Sequence, residues 1–201
     1  MQLLMNKMVS AMAQVILFSL IPFVWWLITA RKEQKFSQWM GLKKVTGDKK
    51  TAAAIVIVTV GFLLCGVYTL YTLKDVETAT SEFTGLGAAA IPAILVYAIF
   101  NTALSEELFF RGFLLKRMQN KFGFAVACTV QAVLFGLLHG AMFISLVGIV
   151  KAVLIISLTA IFAGGMGYIN EKKANGSILP SWLVHAISNI FSGLCAAFMI
   201  F

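Results

Sequence analysis

The sequence predicts an all-α fold, a multi-pass helical membrane protein of about six transmembrane helices. Apolar residues make up 60% of the 201-residue chain and charged residues 12%, against about 45–50% and 25% in ordinary soluble domains. The mean hydropathy of +0.92 exceeds what a soluble chain of this length could bury. The apolar residues also fall into runs of about 20, the length a helix needs to cross the hydrocarbon core. Disordered, fibrous and disulfide-stapled classes are excluded on the same grounds.

The first run, Val9–Ala30, follows a single Lys7 and is closed by Arg31 and Lys32. It is too long for the apolar region of a signal peptide, which points to a retained helix running from outside to inside. Thr51–Leu73 is the second run. The third starts at Ala88–Leu104 and continues through Glu106, Glu107 and Arg111 to Leu115. Phe122–Gly140, Ser145–Ile169 and Ile178–Phe201 complete the set. Gap 31–50 holds seven basic and two acidic residues, whereas gap 74–82 holds one Lys and three acids. Lys116, Arg117 and Lys121 mark a further inner turn, and Lys172 and Lys173 the last one. This alternation puts the basic gaps in the cytoplasm and both termini outside. The net charge of +8 therefore reports topology, and no stretch interleaves basic and aromatic residues as a nucleic-acid groove would. Residues 1–87 read as an N-terminal transmembrane hairpin with a basic cytoplasmic loop, and 88–201 as a core. Cys65, Cys128 and Cys195 are widely spaced in apolar runs and read as small buried hydrophobes.

Ionisable residues inside spans are costly and default to functional candidates. Between Glu82 and Glu171 the only acids are Glu106 and Glu107, and the only histidines in the chain are His139 and His185. Glu107 and Arg111 are spaced i,i+4 with Glu first, the favourable order for an ion pair on one helix. Glu106 lies about 100° further round, with Phe110 as its i+4 neighbour. Arg111 thus neutralises one carboxylate, and the other is free for general-base work. His185 and Asn189, also i,i+4, form a face suited to a polarised carbonyl oxygen. Taken singly, the Glu–Arg pair and each histidine also suit plain helix packing, and Gly136-x-x-x-Gly140 reads as a close-packing stripe. Zinc is admissible on ligand types through Glu106, His139 and His185. These come from three helices with no H-E-x-x-H spacing, so no cofactor is favoured.

Glu106-Glu107-x-x-x-Arg111, Phe135-x-x-x-His139 and His185-x-x-x-Asn189 resemble, in order, the three motifs of the CPBP intramembrane proteases. That family contains the type II CAAX prenyl endopeptidases and the bacterial Abi proteins linked to bacteriocin processing and self-immunity. The resemblance covers roughly residues 88–201. It implies a CAAX-protease-like helical core acting on a hydrophobic or lipidated peptide or protein within the lipid bilayer. Carried over by position, Glu106 is the water-activating base and His139 its partner. His185 and Asn189 stabilise the oxyanion, and Glu107, Arg111 and Phe135 shape the site. The family is described both as metalloproteases and as metal-independent glutamate proteases, and the thin ligand set favours the metal-free scheme. Cleavage of the peptide bond is expected near the cytoplasmic side of the membrane. Two alternatives come from other classes: a small proton-coupled transporter, and a non-enzymatic membrane immunity or scaffold protein that keeps the motifs as packing.

Depth arithmetic raises one conflict. At 1.5 Å per residue, Glu106 lies ~15 Å from Lys116, whereas His139 lies ~27 Å from Lys121. A shared site then requires the His139 helix to tilt, bend near Gly136, or begin outside the membrane slab.

Overall fold

The structure is a computed structural model that describes residues 1–201, and it contains helices and no strand. Six long helices build it. α1 is Gln2–Thr29, α2 is Lys49–Thr72, and α3 is the continuous helical run Gly87–Phe122. The helix Phe124–Tyr168 breaks at Gly148 (φ 77°, ψ 167°) into α4 (124–147) and α5 (149–168). α5 continues as the π-helical Ile169–Lys173, and α6 is Leu179–Ala197. Four helical runs are long and apolar enough to cross a membrane, the last of them the broken α4–α5 run.

The expected fourth and fifth spans are thus joined by a single glycine. Only glycine adopts that positive φ without strain, and the turn lets α5 run back along α4. Gln131 Nε2 donates to Ala163 O (3.1 Å), and Cys128 Sγ lies 3.5 Å from Gly164 O. A Cβ added at Gly136 would meet Ile156 O at 2.5 Å, and one at Gly140 would meet Ile156 Cγ1 at 2.1 Å. The Gly136/Gly140 stripe is therefore the surface on which α5 lies, as its spacing predicts.

α1 packs along α3, while α2 packs along α6, α5 and the turn that follows α5. Phe62 of α2 stacks on Phe162 of α5 at 4.7 Å. Asp48 caps α2, accepting from the Thr51 amide at 3.0 Å. That hydrogen bond holds the exposed Asp48 carboxyl below the usual carboxylate range.

The two ends of the bundle differ sharply. Of the sixteen Lys and Arg residues, twelve lie at the end formed by loop 30–48, the first turn of α2, the last turns of α3 and residues 172–173, Arg111 lies inside the bundle, and only Lys7, Lys74 and Lys151 lie toward the other end. The basic end is closed. Trp39, Met40 and Ile178 are buried there, and Ile178 N–H donates to Gly41 O at 2.9 Å. Gly41 (φ +82°) is required, because a Cβ would sit 2.6 Å from Gly176 O. Lys116 Nζ bonds Glu171 at 2.5 Å and Gly176 O at 2.7 Å.

Lys116 therefore does not mark a turn: α3 stays helical to Phe122, and the chain reverses at Gly123. This removes the depth conflict. Counted from Gly123, Glu106 is ~25 Å back along α3 and His139 ~24 Å on along α4. The two helices are antiparallel across one turn, so the two residues share a level. Phe110 and Phe135, one turn nearer Gly123 on each helix, meet edge to face at 4.9 Å.

Candidate active site

Between Tyr97 and Leu104 and again between Leu108 and Leu115, α3 is wound as π-helix, with the α-helical Ser105–Glu107 between them. The consequence is a change of face. Residues nine apart in an α-helix lie about 180° apart. The wider i→i+5 turn underwinds the helix, so Tyr97, Asn101 and Glu106 all line one cavity wall. At Gly112 the close approach of Met40 O leaves 2.9 Å for a Cβ, so the second π segment lies against the loop that closes the basic end.

The cavity is a well of about 760 Å³. Phe110 and Phe135 lie deepest, near the fully buried Glu107 and Arg111. Glu106, His139, His185 and Asn189 stand on its wall, and its lining rises to Lys7, Leu73 and Glu82 at the sparsely basic end. Trp39, Met40 and Ile178 pack shut at the basic end, and the well's lining leads toward the sparsely basic one. Cys65 also lines the well.

Floor and wall meet at His185. Glu107 Oε1 accepts from Arg111 Nη1 at 2.8 Å and faces His185 Nδ1 at 3.1 Å. An ionised carboxylate is acceptor-only, so the Nδ1 proton belongs to this bond and Nε2 turns outward. There it lies 3.7 Å from Glu106 Oε2. The sequence reading paired Glu107 with Arg111 alone. Its second bond, across 78 positions to His185, carries no local spacing signal. The Arg111 guanidinium also sits 4.4 Å over the Phe135 ring, a cation–π contact in a site shielded from water.

His139 Nδ1 is 2.9 Å from Phe135 O. A carbonyl only accepts, so Nδ1 carries the hydrogen and Nε2 keeps a free lone pair. Asn189 Nδ2 donates to Thr102 Oγ1 at 2.7 Å, and Thr102 donates to Tyr97 O at 3.1 Å. Thr102 orients Asn189 and was not picked out from sequence. As a polar residue four positions before Glu106 in an apolar run, it could have been. Ser105, adjacent to the Glu pair, donates to Asn101 O at 2.5 Å and is spent on its own helix.

No group of three His, Cys, Asp or Glu side chains converges as a metal-ligand set. Glu106, His139 and His185 share the well without forming a three-ligand cluster. The donors as placed do not make the three-ligand set that a zinc site needs.

A family model, the Rce1-like type II CAAX prenyl endopeptidases, matches residues 88–191, the stretch that carries the Glu pair, both histidines and Asn189. No curated protein and no solved structure is significantly similar to the chain. The match covers just over half of the sequence and includes the Glu pair, both histidines and Asn189: this multi-pass membrane protein belongs to the Rce1-like type II CAAX prenyl endopeptidase family of intramembrane proteases.

Proposed function

We propose that the chain hydrolyses a peptide bond by a metal-free route in which Glu106 activates water. The observation that carries this is Glu106 itself. Its Oε2 is buried without a protein hydrogen-bond partner, 3.7 Å from His185 Nε2, on the wall of a largely apolar well. Glu107, one residue on, has taken the arginine. A carboxylate left without its own cation is fitted to remove a proton from a bound water.

A water held between Glu106 Oε2 and the His139 Nε2 lone pair gives its proton to Glu106 as its oxygen adds to the carbonyl carbon. The oxyanion meets the second Nδ2 hydrogen of Asn189 and, in its protonated form, His185 Nε2. As the C–N bond breaks, Glu106 returns the proton to the departing nitrogen. Glu107 and Arg111 never touch the substrate; they fix His185 and balance its charge. The apolar walls suit an aliphatic or lipid-bearing peptide, in keeping with the prenylated CAAX chemistry in the family's description. Maturation of an exported bacteriocin or pheromone peptide uses the same walls.

Mass spectrometry of membrane peptides from cells carrying wild-type or Glu106→Ala protein tests this reading. Cleaved termini present only with the wild type support it, and identical peptide sets at equal protein abundance overturn it. Elemental analysis tests the metal-free step. Purified protein should hold no stoichiometric zinc and should keep its activity under chelation. One zinc per chain, with activity lost on chelation and restored by zinc, would turn Glu106, His139 and His185 into ligands.

A further inference from the structure

The basic end of the bundle has two flanks, and they differ in what stands beside the charge. On the loop flank, between Ile28 and Val56, no large hydrophobic residue is exposed. Trp39 is buried there, and the Arg117 guanidinium covers its ring at 3.8 Å. At the α3–α4 turn the cations instead stand on aromatic rings. Lys121 Nζ lies 5.3 Å from the centre of the Phe122 ring, Lys172 Nζ 4.6 Å from that of Phe124, and Lys173 Nζ 6.0 Å from that of Tyr168. Phe124 and Tyr168 meet at 6.3 Å, which joins the turn and the end of α5 into one patch. Phe122 is 53% exposed and Tyr168 46%, and further along α4 and α5 Val126 and Ile161 are exposed as well. The three ammonium groups have no carboxylate partner, since the ion pairs of the chain use Lys7, Arg111, Lys116 and His185. Glu171, next to Lys172, gives its oxygens to Lys116 Nζ and Gln119 Nε2 at 2.5 and 2.7 Å, and Asp48 is taken up by its cap on α2.

We infer that this patch binds an anionic phospholipid, with the phosphodiester held by Lys121, Lys172 and Lys173 and the acyl chains laid on Phe122, Tyr168 and Val126. Topology alone accounts for lysines at this end, but not for their seat on exposed rings. A lysine over a ring still has N–H donors to offer, since its ammonium carries three and accepts nothing. Charge and exposed apolar surface side by side match the two parts of a phospholipid, and an interfacial Tyr belongs at the level where headgroup meets chain. The loop flank offers charge alone, which attracts anions without seating a chain. The patch also spans the Gly123 turn, which sets Glu106 and His139 at one level. A lipid bound there ties α3, α4 and α5 together and stabilises the folded chain by mass action. The inference is independent of the peptidase reading.

Native mass spectrometry of the purified full chain, titrated with phosphatidylglycerol or with phosphatidylcholine of the same acyl chains, tests the site. A lysine beside an anionic lipid contributes about fivefold in affinity. Wild-type protein should therefore hold one phosphatidylglycerol about a hundredfold more tightly than phosphatidylcholine. Lys121→Gln, Lys172→Gln and Lys173→Gln together should bring the two lipids level, and Lys172→Gln alone should weaken phosphatidylglycerol about fivefold. Lys32→Gln, Lys35→Gln and Lys44→Gln together remove the same charge from the loop flank and should leave the tight lipid in place. Glycerol 1-phosphate, the headgroup anion without its chains, should not displace it at millimolar concentration. Added phosphatidylglycerol should raise the melting temperature of the wild type and of the loop-flank variant, and not that of the patch variant. Equal retention of both lipids by the wild type overturns the inference. So does an equal loss in the two triple variants, which would make the charge a diffuse surface field. Displacement by glycerol 1-phosphate would reduce the patch to a simple anion site and overturn the lipid assignment.

Discussion

Glu106 and Glu107 are adjacent in the chain and occupy opposite environments. Glu107 belongs to the floor of the well, with no exposed side-chain surface and bonds to Arg111 and His185. Glu106 belongs to the wall, with 19% of its side chain exposed and one oxygen that no protein group takes. The difference separates support from chemistry. A carboxylate sealed beneath the well and held by two donors on Oε1 is out of a reactant's reach, whereas one that lines the well and faces a histidine across 3.7 Å can meet it. His185 is the hinge between them, positioned by the floor and presented to the wall.

Substitutions should divide along the same line. On the wall, His139→Ala should lower cleavage by about 10²–10⁴-fold, the usual worth of a general acid–base partner, with little change in melting temperature. A comparable loss of stability would move His139 into the floor. On the floor, Arg111→Ala leaves the Glu107 charge buried and half-paired, a change that costs ~3–5 kcal/mol where it has been measured. The melting temperature or folded yield in detergent should fall accordingly, and an unchanged melting curve would dissolve the contrast. Away from both regions, Gly140→Leu should destabilise by about 1–3 kcal/mol through overpacking against Ile156, read in the same melting assay, and should reduce activity only as far as folded protein is lost. The smallest effect belongs to Asp48→Ala at the α2 cap. Its loss of stability should be full at neutral pH, because the capping carboxylate is ionised above its unfolded pKa. The difference from wild type should vanish as acid protonates Asp48 through its lowered folded pKa.

Much of this was legible in the residues. Glu106, Glu107, Arg111 and both histidines were marked by being nearly the only ionisable groups in the apolar runs, and burial in lipid makes such residues conspicuous; Asn189 was marked by its i,i+4 spacing from His185. The Gly136/Gly140 stripe was legible because helix packing demands small residues at a fixed spacing. The π winding of α3 was not, since no composition signals an i→i+5 turn. With it went the alignment of Tyr97, Asn101 and Glu106 on one wall. The depth conflict arose because Lys116 looked like a loop lysine. In fact its ammonium is held by Glu171 and Gly176 O, partners 55 and 60 residues away. The direction of the well was illegible for the same reason: Trp39 and Met40 close the basic end through contacts with α3 and Ile178 that no local pattern announces.

The most direct test of the central claim sets the two carboxylates against each other. Glu106→Gln and Glu107→Gln differ from wild type by one functional group each and from one another by one position. Cleavage of a single membrane peptide and the melting temperature are measured on all three proteins at equal folded concentration. Glu106→Gln should lose cleavage and keep its melting temperature, while Glu107→Gln should melt markedly lower because Arg111 and His185 lose their anion. Wild-type cleavage by Glu106→Gln, or a fall in its melting temperature equal to that of Glu107→Gln, would contradict the assignment of chemistry to the wall and support to the floor.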